Sequence, residues 1–142
     1  MVNTRSILWF AVLLTLVASV PLSHAQACGE DGDPCRRPFH VGKIANIVIE
    51  ENWTRTLSND GTKCEDEQQL TVDDVRRYLQ AAGRISEHDA IVKLFYPECS
   101  AHGTLITESG RHANWGMGLG TGGGNIFWTD TKEAVHLYCG RC

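Results

Sequence analysis

Residues 99–139, CSAHGTLITESGRHANWGMGLGTGGGNIFWTDTKEAVHLYC, decide the fold. Apolar and polar residues alternate along much of this stretch, which is typical of strands with one buried face. Short turns rich in Gly, Ser, Asp and Thr separate four predicted strands: Cys99–Thr107, His112–Gly118, Asn125–Thr129 and Ala134–Cys139. Because short connections join antiparallel neighbours, the stretch predicts a β-meander.

The segment before the meander predicts a helix that begins after Thr71. Asp74 stands three residues beyond Thr71, and this pair is typical of a capping box. Gly83 is expected to end the helix. Apolar residues at helical spacing form a stripe that would face the core: Val72, Val75, Leu79 and Ala82. The apolar run Ile91–Tyr96 is predicted to be extended and to end at Pro97.

One main helix packed on an antiparallel meander predicts an α+β, two-layer domain. The β-branched segment Ile44–Glu50 is expected to add a first strand, continuing toward Trp53 and Leu57. Residues 26–43 contain two cysteines and several turn formers, so they predict an irregular N-terminal arm. Residues 44–142 are then a single α+β domain.

Residues 1–25 are predicted to be a signal peptide. Arg5 precedes the apolar run Ile7–Val20, which has the length of a signal h-region and is shorter than the ~20 residues needed to cross a bilayer. Cleavage after Ala25 or after Ala27 is compatible with the small residues there. The second position would place Cys28 first in the mature chain, but the preceding residues disfavour a lipoprotein. We therefore expect an exported protein, periplasmic or secreted, with no membrane association after signal removal.

Composition excludes several function classes. The chain has 142 residues, a formal net charge of −4 and a pI of about 5.8. This acidic balance disfavours a nucleic-acid partner, because such binders carry a basic face. The charged and apolar fractions are those of a globular protein rather than a disordered one.

The cysteines predict a disulfide-stabilised fold. An even number of cysteines in an exported chain favours disulfides over free thiols. A local Cys28–Cys35 loop is attractive, and the other four would then tie the region of Cys64 and Cys99 to the C-terminal pair. The candidates are Cys28, Cys35, Cys64, Cys99, Cys139 and Cys142.

Two chemical alternatives use some of the same residues. Cys99 and His102, with Cys139 and Cys142, have spacings that suit zinc, and His136 lies nearby. The pair Cys139-Gly-Arg-Cys142 also has the spacing of a thiol-redox motif. An oxidising compartment disfavours the first, and the second lacks a following helix. The sequence therefore predicts no metal, no cofactor and no catalytic residue.

The glycine-rich segment Gly118–Gly123 contains the letters of the dinucleotide fingerprint G-x-G-x-x-G. That motif requires a following helix to meet the pyrophosphate, whereas strand-like residues follow here. A glycine-rich hairpin loop is the better interpretation.

Histidines and an aromatic residue near this hairpin predict a binding face. His102 and His112 could face each other across the hairpin, with Glu108 nearby. The candidate binding residues are His102, His112, Trp115, Gly120 and Gly123.

Several segments carry a resemblance to a protein family. They are Leu70–Leu79, Tyr96–Leu105, Gly110–Trp115, Trp128–Asp130 and the ending Leu137-Tyr-Cys-Gly-Arg-Cys142. In these segments the chain resembles an uncharacterised family of small exported bacterial proteins. The resemblance implies bacterial export and a compact α+β fold, and it implies no activity.

These patterns favour a non-enzymatic module that binds a protein partner in the extracytoplasmic compartment, as an immunity or inhibitor protein does. Small size, acidic charge, crosslinking and the lack of a catalytic motif support this hypothesis. A small metal-binding or thiol-redox protein is one alternative, and a structural protein of the cell envelope is another.

Overall fold

The computed structural model describes residues 32–56, 64, 68–94 and 97–142. The predicted signal peptide and Cys28 lie outside this range. In chain order the elements are β1 (Ile44–Arg55), α1 (Val72–Ala81), β2 (Gly83–Ile85), α2 (Glu87–Val92), β3 (Cys99–Thr107), β4 (His112–Gly118), β5 (Gly123–Trp128) and β6 (Ala134–Tyr138). No helix among the described residues is long and apolar enough to cross a membrane.

The described strands form one antiparallel sheet in the order β1-β3-β4-β5-β6-β2. Strands β3 to β6 are consecutive neighbours, which confirms the predicted meander. The glycine-rich segment joins β4 to β5 as a hairpin loop, as predicted, and no helix follows it. Together with the two helices, the sheet agrees with the predicted α+β class.

Helix α1 begins as the sequence predicts. The Thr71 hydroxyl accepts a hydrogen bond from the Asp74 backbone N–H at 3.2 Å, and the Asp74 carboxylate accepts one from the Thr71 N–H at 3.0 Å. This reciprocal pair is a capping box. Val75 and Leu79 are buried as expected, but Val72 is exposed and Tyr78 is buried instead.

Two local predictions are wrong. Ile91 and Val92, which begin the predicted extended run, are instead the last residues of α2, because Ser86 caps a helix by accepting a hydrogen bond from the Asp89 N–H at 3.0 Å. Phe95 and Tyr96, the end of that run, lie outside the described residues. Gly83 does not end α1; Ala82 is the C-cap, and Gly83 opens strand β2. Strand β2 pairs with β6 on one side and forms an isolated bridge with Arg37 on the other.

The N-terminal arm contributes to the core. Val41 is buried in the main apolar cluster, and Phe39 packs against it. Arg37 and Arg84 exchange two backbone hydrogen bonds of 2.7 and 2.9 Å, so the arm extends the sheet beyond β2.

The core is centred on Trp115, the largest fully buried side chain. Trp115 on β4 lies directly opposite Gly103 on β3. A Cβ atom at Gly103 would overlap the Val48 backbone carbonyl on β1 and would also lie 2.9 Å from the Trp115 ring atom Cζ2. The missing side chain therefore gives the indole room to lie across β3, where its Nε1–H donates to the Thr104 carbonyl at 3.2 Å.

Tyr78 anchors α1 to the far side of the same core. Its hydroxyl donates to the Gly122 carbonyl at 3.1 Å, and its ring lies against Gly124. Burial raises the pKa of the Tyr78 phenol, so the group stays neutral and keeps its proton for this hydrogen bond. Helix α1 is thus fixed both by apolar packing and by a polar contact.

The disulfides confirm crosslinking but not the expected pairing. Cys64 is bonded to Cys99, and Cys139 to Cys142. The expectation that the first pair is tied to the second is wrong, because Cys99 and Cys139 lie three strands apart, about 14 Å at the usual spacing. Cys35 is also disulfide-bonded.

Topology explains the Cys64–Cys99 bond. Arg55, near the end of β1, is paired with Cys99 at the start of β3. The Cys64 N–H donates to the Trp53 carbonyl at 2.8 Å, which holds Cys64 beside the same end of β1. The Cα atoms of Cys64 and Cys99 are 6.3 Å apart, within the range that a disulfide spans.

Replacing Gly103 by Ala should destabilise the protein by about 1–3 kcal/mol, because the added methyl group has no room between the Val48 backbone carbonyl and the Trp115 ring. Thr104→Ala is the matched control on the neighbouring position. It should cost less than about 1 kcal/mol, since the Thr104 side chain is on the opposite face and only its carbonyl meets Trp115. Urea unfolding of both variants measures the difference, and equal losses would contradict the importance of this contact.

Removing the Cys64–Cys99 disulfide by double Ala substitution should cost about 4 kcal/mol, and removing Cys139–Cys142 about 2 kcal/mol. The first bond closes a loop with a sequence separation of 35 and the second one of 3, so the first constrains the unfolded chain more. Chemical denaturation of the two double variants makes the comparison. A larger loss from the C-terminal pair would be inconsistent with this account.

Candidate functional site

The sheet has one face toward the core and one face away from it. On β3 the core face carries Ala101, Gly103, Leu105 and Thr107, and residues alternate in direction along each strand. We define the open face as the opposite set of positions on β3 to β6: Ser100, His102, Thr104, Ile106, His112, Asn114, Gly116, Gly118, Gly123, Asn125, Phe127, Ala134, His136 and Tyr138.

A row of polar side chains crosses the open face and continues onto β1, where it ends at the carboxylate of Glu51. Strand pairing places Glu51 opposite His102, His102 opposite Gly116, Gly116 opposite Asn125, and Asn125 opposite His136. The Nδ1 atom of His102 is 3.9 Å from a carboxylate oxygen of Glu51. Five neighbouring strands thus bring together residues that are far apart in the sequence.

Gly116 leaves a gap in the middle of this row. A Cβ atom there would lie 2.7 Å from the side-chain oxygen of Asn125. The Asn125 carboxamide therefore leans over the backbone of β4, toward the His102 side of the row. Glycine at position 116 leaves room for this close approach.

Helix α2 and the residues after it cover one end of the open face. A Cβ atom at Gly118 would lie 2.7 Å from Pro97, and one at Gly123 would lie 2.9 Å from Leu94. The absence of side chains at these two positions lets this part of the chain approach the sheet closely. The covered end becomes one wall of a groove.

The groove lies between this wall and the polar row. Its volume is about 540 Å³, which is within the usual range of ligand sites. Ile91 and Phe127, which line it, expose 69% and 38% of their surface. Its apolar lining includes Ile91, Leu94 and Phe127, and its polar lining includes His102, Asn125 and His136.

The open face carries no Asp, Glu, Lys or Arg at the positions defined above. Protein surfaces usually have about 25–35% charged residues, so three or four would be ordinary for a face of this size. Charged side chains surround the face instead. Ion pairs at its edges join Lys43 to Glu108 at 3.9 Å and Arg84 to Glu133 at 3.3 Å.

A further edge pair, with two hydrogen bonds, joins Arg111 to Asp130. Two hydrogen bonds of 2.8 and 3.1 Å run from the guanidinium to the carboxylate, and the guanidinium carbon is 3.9 Å from the centroid of the Trp128 ring. The hydrogen bonds from Arg111 lower the pKa of Asp130 to about 2. This pair links the β3–β4 turn to the β5–β6 turn.

The structure places the residues predicted for the binding face in different parts of the sheet. His102 and Gly123 line the groove, and Gly120 is exposed in the hairpin turn with a φ of +72°. The indole of Trp115 is in the core on the opposite side of the sheet, so only its backbone borders the groove. His112 lies on the open face, outside the groove.

The expectation that His102 faces His112 across the hairpin is wrong. His102 pairs with Gly116, whereas His112 pairs with Ile106. Glu108 is not beside His102 either, because it lies at the turn near Lys43. The carboxylate near His102 is Glu51, contributed by β1.

Several groove residues were not anticipated, notably Ile91, Asn125 and Phe127. Strand alternation would have identified Asn125 and Phe127, because residues 123, 125 and 127 point to the same face once the bounds of β5 are known. The position of Ile91 depends on how α2 packs, and no local pattern gives that.

The structure bears on the two chemical alternatives. The zinc interpretation is wrong for the proposed cysteine set, because Cys99, Cys139 and Cys142 are in disulfides and offer no thiolate. Among the residues described, no group of three or more His, Cys, Asp and Glu side chains could hold a metal ion. The thiol-redox alternative stays a prediction, since a structural bridge and an oxidised redox motif both contain a Cys139–Cys142 bond.

The fold and the site define a disulfide-bonded, sheet-based protein whose open face has no Asp, Glu, Lys or Arg at its β3 to β6 positions and has a groove at one end. No protein-family model matches the chain, and no curated protein or solved structure matches it significantly.

Asp130 should titrate with a pKa of about 2 in the folded protein, and Arg111→Gln should return it toward the ordinary value of 3.8. Because the folded pKa lies below the unfolded one, the stabilisation by this pair is present above about pH 4 and is lost as the pH falls through about 2. NMR titration of the side-chain carboxyl measures the pKa. Arg77→Gln, which removes a distant arginine, is the control and should leave Asp130 unchanged; an ordinary Asp130 pKa in the unmodified protein would contradict the prediction.

Proposed function

We propose that this protein is an exported, non-enzymatic binding module whose open face is the contact surface for a protein partner, in the manner of an immunity or inhibitor protein. The observation that carries the proposal is the absence of Asp, Glu, Lys and Arg from the open-face positions on β3 to β6. Interface cores are depleted of charged residues, while their rims are polar and solvent-accessible. The edge ion pairs fit the description of such a rim.

Burial of this face is physically favourable for two reasons. Phe127 and Ile91 expose apolar surface that contact with a partner would remove from water. The amides and hydroxyls between them require a hydrogen-bond partner but no counter-charge. Docking therefore avoids the large cost of desolvating unpaired ions.

The net acidity of the chain is not the basis of this proposal. The described residues contain as many Lys and Arg as Asp and Glu, so the acidic excess belongs to the remainder of the sequence. Recognition by the open face rests on shape, apolar contact and hydrogen bonding. This differs from attraction of a basic partner to an acidic surface.

We propose further that residues 1–25 direct export and that the mature protein acts in the periplasm or outside the cell. The Cys64–Cys99 and Cys139–Cys142 disulfides are compatible with an oxidising compartment. We also propose that α1 is the main helix of a two-layer arrangement. The burial of Val75 and Leu79 against the sheet supports this.

Site-specific photo-crosslinking in the cells that export the full chain tests the function. A photo-reactive phenylalanine analogue at Thr104, on the open face, should give a discrete crosslinked protein. The same analogue at Arg77, on the exposed side of α1, should not. Asn114→Lys should reduce the Thr104 crosslink by more than about tenfold, because it places an unpaired charge in the contact.

Asn114→Ser is the matched control, since it changes the same position without adding charge, and it should retain crosslinking. Circular dichroism confirms that both variants fold. Crosslinks of equal yield from Thr104 and Arg77, no crosslink from Thr104, or indifference to Asn114→Lys would each refute the proposed function.

A further inference from the structure

The side chains that line the groove beside α2 determine which kind of group can bind there. Resting on the function proposed above, we infer that it takes an aromatic or large aliphatic side chain from an uncharged segment of the partner protein. In this arrangement His102, Asn125 and His136 hydrogen-bond the backbone on either side of that side chain. The groove is thus the anchor pocket within the larger contact surface.

The apolar part of the groove fits such a side chain. Ala90, Ile91, Leu94 and Pro97 form one wall, and Phe127 lies on the sheet side. The Asn125 carboxamide lies over Gly116 and Pro97 lies over Gly118, so an inserted side chain would contact these two groups. Interface energy is commonly concentrated where an aromatic or large apolar residue fills a pocket of this kind.

The electrostatics favour an uncharged occupant. The nearest carboxylate in the polar row, that of Glu51, already accepts a hydrogen bond from the Thr54 hydroxyl at 3.1 Å and faces His102. Among the residues that the structure describes, no Lys or Arg lines the groove. A charged side chain entering it would be desolvated without a dedicated counter-ion, which is unfavourable.

The side chains of the polar row supply hydrogen-bond donors and acceptors to the extended backbone of a peptide bound in the groove. In the described part of the chain, no other side chain hydrogen-bonds to the side chains of Asn125 or His136. A carboxamide offers one acceptor and two donor hydrogens, and a neutral imidazole offers one of each. Such groups match the alternating N–H and C=O of a peptide segment.

Binding of short capped peptides to the full folded chain tests the inference. The probes are acetyl-Gly-X-Gly-amide with Phe, Leu, Gly, Lys or Glu at X, followed by ¹H–¹⁵N NMR. The Phe and Leu peptides should shift the backbone amides of Gly116, Gly118 and Gly123. The Gly, Lys and Glu peptides should bind at least about tenfold more weakly.

Helix α2 offers a matched pair of variants. Ile91 lines the groove and Val92 does not, although both are exposed, at 69% and 57%. Ile91→Ser should weaken binding of the Phe peptide about three- to tenfold by removing apolar contact area. Val92→Ser should leave it unchanged, which separates a groove effect from an effect on the helix.

Equal binding of all peptides, no peptide binding, or equal weakening by Val92→Ser would overturn the anchor pocket. If crosslinking from Thr104 still succeeds in that case, the proposed function stands and only the anchor pocket is wrong. If the peptides bind as expected but Thr104 gives no crosslink, the proposed partner function fails.

Discussion

The contact between Trp115 and Gly103 is the constraint on which the rest of the structure depends. The two residues are paired across β4 and β3, so the largest buried side chain lies where its neighbour has none. A register slip of one residue would turn Trp115 to the open face and remove the centre of the core. The register of the central strands and the position of every open-face residue therefore follow from the same pairing. The polar row from Glu51 to His136 exists because Trp115 holds that register.

On both faces of the sheet, glycine leaves room for a neighbouring group to pack close to the backbone. On the core face Gly103 and Gly124 admit the aromatic rings of Trp115 and Tyr78. On the open face Gly118 and Gly123 admit Pro97 and Leu94. A larger residue at Gly118 or Gly123 would push Pro97 or Leu94 away from the sheet, and one at Gly103 or Gly124 would also collide with a backbone carbonyl of the neighbouring strand. The glycine-rich character of β4 and β5 thus reflects close packing, and only part of it reflects the turn between them.

The sequence determines strongly patterned elements better than those that depend on tertiary contacts. The bounds of β3 and β4 agree with prediction because both strands alternate clearly and are flanked by the turn at residues 108–111. Strand β2 was not anticipated, since three residues cannot show alternation and it forms where the edge of β6 is available. The disulfide partners could not be derived either, because the pairing of Arg55 with Cys99 decides them. Likewise, His102 was a reasonable candidate from the sequence, but its neighbours Glu51 and Asn125 come from other strands.

The open face combines two properties that are unfavourable for a surface exposed only to water. It lacks the charges that keep protein surfaces soluble, and it presents Phe127 near a groove with an apolar wall. Neither property is needed to hold the fold, because the core lies on the other side of the sheet. Lysine or glutamate at Thr104 or Asn114 would fit the strand without touching Trp115. The open face could carry charged side chains without destabilising the fold, yet its β3 to β6 positions do not. Contact with a partner explains this composition better than a structural role does.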